Sequence, residues 1–154
     1  MNAIDYIITE TQTALKSVID RARKVPSDKL EWSPLDEGRS VLNIVQECTH
    51  SVLWPVELIE KRKFEMNEEI MAQFKTECAA WSDLDKCEAA MAERFVKLKG
   101  CLASLADSQL EEKIEVPWGE MTVLGAADIA HWNCIYHTGQ INYIQTLYGD
   151  KDMM

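Results

Sequence analysis

Three histidines are the residues in this chain best placed to do chemistry, and their surroundings differ. His137 sits in Asn133-x-x-x-His137-x-Gly139-Gln140, with Asn133 one helical turn before it. His50 follows Glu47 at the Glu-x-x-His spacing used by carboxylate-bridged metal bundles, and Asp128-x-x-His131 is a looser copy. Such groups can bind a divalent metal, or exchange a proton near neutral pH. A helical wheel separates them. With Ala130, Cys134, Ile141 and Ile144 as the apolar stripe, His137 falls near its centre and Asn133 about 40° from His137. His131 falls at the edge of the exposed face. On the second helix Cys48 marks the stripe centre, Glu47 lies at its margin and His50 points toward solvent. A di-iron site needs all its donors facing inward, so the wheel speaks against one. For His137 two readings stand. It is a core histidine satisfied by Asn133, a tyrosine or a carbonyl, or it is a metal ligand or acid–base group.

The elements that must position these residues are helical. Residues 2–25 carry Ile4, Ile8, Thr11, Leu15, Val18, Ala22 and Val25 in alternating steps of four and three. Pro26 stops that pattern, and residues 30–38 read as a loop. Ser40 caps a second helix through Val41, Ile44, Val45, Cys48, Val52, Val56 and Ile59, which Pro55 kinks or divides. Residues 64–81 predict a short accessory helix, and Ser82 caps a third long one from Leu84 to Leu105. Residues 113–123 alternate around Pro117 and Gly119, as an extended or hairpin-like connection does. A last helix spans about 123–148 and ends at Gly149. Together these predict one all-α domain over 1–154, an antiparallel four-helix bundle with a long crossover connection. Trp54, Trp81, Trp118 and Trp132 read as packing anchors, and Gly139 allows close approach of a helix or subunit.

Composition narrows the partners. The 154 residues hold 16 Lys and Arg against 26 Asp and Glu, for a formal charge of −10. Phosphate binding needs the opposite sign, so nucleic acid and anionic membrane surfaces are excluded as partners. No apolar run reaches the roughly 18 residues of a spanning helix, and the first residues, Met1 to Tyr6, lack the basic start and apolar run expected of a signal peptide. Five scattered cysteines without a C-x-x-C fit a reducing, cytoplasmic setting rather than a disulfide framework.

The run Trp132-Asn133-Cys134-Ile135-Tyr136-His137-Thr138-Gly139-Gln140-Ile141 resembles the last helix of the DinB-like (YfiT-like) four-helix-bundle superfamily, whose core is H-x-G-Q-I. Trp32-Ser33-Pro34, the stretch from Arg39 to Glu47, and the Val116-Pro117-Trp118-Gly119 turn are similar to that family too. The resemblance implies an antiparallel bundle with one long crossover, paired as a homodimer. It also implies a divalent metal (zinc, nickel, manganese or iron) held by three histidines, one on the second helix and two on the last. Matched by position, those ligands become Glu47, Asn133 and His137, with His50 one turn beyond Glu47. This sequence departs from the pattern at two of the three positions. An enzyme of this kind would be a thiol-dependent transferase, using a low-molecular-weight thiol on a small electrophile. The alternative is a non-enzymatic, small-ligand-binding or stress-associated bundle in which the metal site has become a polar core and no metal is bound.

Overall fold

A computed structural model of the chain describes residues 2–151. Helix α1 (Ala3–Lys24) opens on a reciprocal cap between Asn2 and Asp5. It is followed by single 3-10 turns at Ser27–Lys29 and Pro34–Asp36. Helix α2 (Val41–Ser51) is capped by the Ser40 side chain, which accepts from the Asn43 N–H. Pro55 does divide the second pattern. It lies in the first turn of α3 (Trp54–Lys61), where its missing N–H costs nothing. The crossover continues through α4 (Glu68–Ala80) to α5 (Leu84–Ala103). Asp83, rather than Ser82, caps α5, because its carboxylate accepts from the Lys86 N–H at 2.9 Å.

The alternating stretch is a hairpin, β1 (Lys113–Val116) paired antiparallel with β2 (Gly119–Thr122). The last pattern is not one helix. It breaks at Asp128 into α6 (Val123–Ala127) and α7 (Ile129–Leu147). Gly149 closes it at φ 93°, a conformation that glycine adopts without strain.

Four helices build the core: α1, α2, α5 and α7. Val18, Ile44, Val45, Leu98, Leu102 and Ile141 are buried at its centre. Arg23 near the end of α1 pairs with Asp85 and Glu88 at the start of α5, so these two run antiparallel. Ser51 and Glu47 of α2 meet Asn133 and His137 of α7 in reverse order, so this pair does too. The long crossover returns the chain to the end where α2 began, and α5 therefore runs parallel to α2. Along it, Gln46 reaches the Cys78 and Trp81 carbonyls and Arg94 reaches the His50 carbonyl. Among the described residues, no helix is long and apolar enough to cross a membrane.

Candidate functional site

The α2–α7 seam holds a chain of polar groups inside an otherwise apolar interface. His137, 3 % exposed, donates from Nε2 to Glu47 Oε1 at 3.0 Å. Its Nδ1 stands 2.6 Å from the side-chain amide of Gln140, a group that can accept or donate and so suits either tautomer. The other Glu47 oxygen takes the Arg39 guanidinium at 2.5 Å. Arg39 is in turn fixed by Asn43, whose side-chain oxygen accepts from Nε at 2.8 Å and whose carbonyl accepts from Nη2 at 3.2 Å. The result is a continuous line from Gln140 through His137 and Glu47 to Arg39 and Asn43.

Local sequence explains most of this line. Gln140 lies three residues after His137 and so shares its helix face. Arg39 immediately precedes the cap Ser40, from which a long side chain can fold back along the first two turns of α2. The hydrogen bond from His137, reinforced by the charge of Arg39, holds the Glu47 carboxyl below its ordinary range although burial opposes it.

One turn further along, Asn133 is also buried, but it serves a different partner. Its Nδ2 donates to Ser51 Oγ at 3.0 Å, and Ser51 Oγ donates to the Cys48 carbonyl at 2.9 Å. Cys48 and Cys134, both fully buried, lie in the same seam. The hydrogen bond with Cys134, together with burial, pushes the Cys48 thiol well up. Burial likewise raises Cys78, Cys101 and Cys87, the last to about 11. Those four side chains are thiols, not nucleophilic thiolates, at neutral pH.

The solvent positions expected for His50 and His131 are corrected here. The His50 side chain is only 16 % exposed and donates from Nδ1 to Glu77 Oε2 at 2.9 Å. Arg94 Nη2 reaches the same oxygen at 2.7 Å, and Phe74 lies edge-on to the imidazole at 4.7 Å. The wheel of α2 assumed a single buried face, whereas α4 covers its outer flank. Burial pushes the Glu77 carboxyl up, yet His50 and Arg94 outweigh it and the net shift is downward. The His131 side chain is 22 % exposed, because it folds back to donate to Asp128 Oδ1 at 2.9 Å. Trp118 and Trp132 are exposed rather than anchored in the core.

Of the four candidate ligands, the fold brings Glu47 and His137 together, sets Asn133 on Ser51, and places His50 on the opposite flank of α2. A divalent metal does not fit these donors as arranged. Both Glu47 oxygens are engaged, one of them by a guanidinium, which puts a cation where a metal would need the carboxylate. Among the described residues no three His, Cys, Asp or Glu side chains are grouped to hold a metal ion. Beside the polar line, Pro34, Arg39, Ile44, Tyr136, Gln140 and Tyr143 border an open, largely apolar cleft of about 500 Å³. Arg39 stands at its rim, and among the described residues three of its five N–H groups are taken up by Asn43 and Glu47.

The geometry sets a pH dependence. A carboxylate whose folded value is depressed contributes stability that is present above its unfolded value of 4.5. That contribution is lost as pH falls toward the folded value. Glu47 and Glu77 both act in this direction. Urea unfolding midpoints are therefore expected to drop between pH 6 and pH 3.5, and Glu47→Gln is expected to flatten part of that drop. An unchanged slope in the variant would detach Glu47 from the acid response.

No protein-family model matches the chain, and no curated protein matches it by sequence. Solved structures do share its fold. YfiT from Bacillus subtilis, described as a probable metal-dependent hydrolase with an unusual four-helix bundle topology, superposes with a TM-score of 0.75. That likeness covers 95 % of this chain and 87 % of YfiT at 15 % identity. The DinB-like protein YjoA from Bacillus subtilis gives a TM-score of 0.66 at 17 % identity, covering 95 % of this chain and 94 % of YjoA.

Proposed function

We propose that this chain, which has the DinB/YfiT-like four-helix-bundle fold, is a small-ligand-binding protein whose α2–α7 site works through hydrogen bonds rather than through a metal. The observation that carries this reading is Glu47, bridged between His137 and Arg39 with neither oxygen left for a metal. The ligand class follows from the cleft. Its walls are largely apolar, its volume suits a small molecule, and Arg39 is the one cation among the described residues that line it. A small amphipathic anion matches that chemistry, and a low-molecular-weight thiol bearing a carboxylate is one such molecule. In this reading the protein acts in the cytoplasm as a homodimer.

A second reading draws on the fold neighbour. YfiT is described as a probable metal-dependent hydrolase, and a metal-dependent thiol transferase is what the family resemblance implies for this chain. That reading requires Arg39 to leave Glu47 and Asn133 to leave Ser51. Because Cys48, Cys78, Cys87 and Cys101 are held as thiols by burial, and Cys134 is fully enclosed, the thiol would also have to come from outside the chain.

Metal analysis of protein purified without chelators or nickel columns separates the two. The expected content is well below one equivalent, with saturable binding of octanoate or glutathione in metal-free buffer that Arg39→Ala abolishes. One equivalent of zinc, nickel, manganese or iron, lost in His137→Ala, would establish the second reading instead. Saturable binding that appears only after zinc is added would do the same.

A further inference from the structure

Helix α7 displays a face that nothing in the described chain covers. Trp132, Tyr136, Gly139, Tyr143 and Leu147 follow one another at helical spacing, on the side opposite the buried stripe. Trp132 is 62 % exposed and Tyr143 66 %, and the Trp132 and Tyr136 rings stack in the open at 5.6 Å. None of the helix's 19 residues is Asp, Glu, Lys or Arg, in a chain that is 27 % charged with a net −10.

We propose that this face pairs two copies of the chain, α7 against α7 and antiparallel, about a twofold axis between Gly139 and Gln140. The proposal rests on the homodimer of the preceding reading and assigns its interface. The spacing is self-complementary, as a twofold contact requires. Trp132 and Leu147 lie equally far on either side of that axis, and so do Tyr136 and Tyr143. Trp132 therefore meets the partner's Leu147, and Tyr136 meets the partner's Tyr143.

Electrostatics selects a second copy as the occupant. Two molecules of charge −10 repel wherever their acidic surfaces meet, and α7 offers them a long face free of charge. A basic partner would be drawn to the acidic surfaces instead. Gly139 fits the same role. A Cβ built there meets nothing within 4 Å, so packing within the chain does not account for a glycine in mid-helix. At the axis it lets the two helices approach closely.

The area is adequate once the neighbouring loop joins in. The exposed side chains of α7 supply on the order of 500 Å² per copy, against roughly 800 Å² in a standard interface. Leu35, 94 % exposed at φ 56°, extends the apolar surface beside Pro34, which borders the same cleft as Leu147. Tyr136, Tyr143 and Leu147 also line the cleft, so pairing makes the partner copy one of its walls.

Sedimentation across micromolar concentrations, with Tyr143→Glu beside the parent chain, tests this. The parent is expected at twice 17.6 kDa, and the variant, folded by circular dichroism, dissociates at roughly tenfold or higher concentration. Oxidation of Gly139→Cys is expected to give a cross-linked dimer, whereas Lys97→Cys on exposed α5 surface gives none. A single 17.6 kDa species throughout would overturn both the homodimer and this interface. A dimer that Tyr143→Glu leaves intact, with no cross-link through position 139, would overturn the interface alone.

Discussion

His137→Ala is expected to lower unfolding free energy by roughly 2–4 kcal/mol, while His131→Ala changes it by less than about 1 kcal/mol. The difference follows from what each ring holds. Removing the His137 imidazole leaves a void beside Ile141 and Cys134 and strips Glu47 of its inward donor. Glu47 keeps only Arg39, and Gln140 loses its partner inside the seam. His131 instead pairs with an Asp three residues away that is about half exposed, where solvent screens most of the interaction. A double-mutant cycle between His137→Ala and Glu47→Gln is expected to show about 1 kcal/mol or more of coupling. Urea melts measure all of these, and equal small losses from both histidines would remove His137 from the polar line.

The second large effect is expected at the crossover. Glu77→Ala should cost roughly 2–3 kcal/mol and should loosen α4 before the rest of the bundle. Cys78 is the one buried residue of α4, so that helix is fastened almost entirely at its C-terminal end. There Gln46 donates to the Cys78 and Trp81 carbonyls, and Glu77 accepts from both His50 and Arg94. Without the Glu77 carboxylate, the largely buried Arg94 guanidinium keeps only the Trp81 face at 4.7 Å and a long bond to the His50 carbonyl. Glu77→Gln retains an acceptor without the charge and is expected to fall between the two. Hydrogen exchange should show faster exchange over residues 68–80, with α1 and α7 still protected. Unchanged protection of α4 in Glu77→Ala would mean that Gln46 and the apolar contacts hold it without the Glu77 carboxylate.

What the sequence by itself determined is where the helical stretches lie and the main apolar face of each. The steps of four and three from Ile4 to Val25 leave α1 a single apolar face, and Ser40, Pro55 and Gly149 punctuate the chain by local chemistry alone. His137 could be placed in the core for the same reason, since its position on the wheel is fixed by the apolar residues around it. Tertiary structure decided the partners. The wheel of α2 could not reveal that α4, more than fifteen residues away in sequence, would cover the flank carrying His50. Nor could spacing choose between Ser82 and Asp83, both competent caps, or show that Asp128 would break the last helix. Arg39 was legible only as a residue before a cap. Its role appeared once the approach of α7 brought His137 to one oxygen of Glu47, with the guanidinium on the other. A helix face is set by covalent periodicity, whereas the group that satisfies a polar side chain on it comes from whichever distant segment packs there.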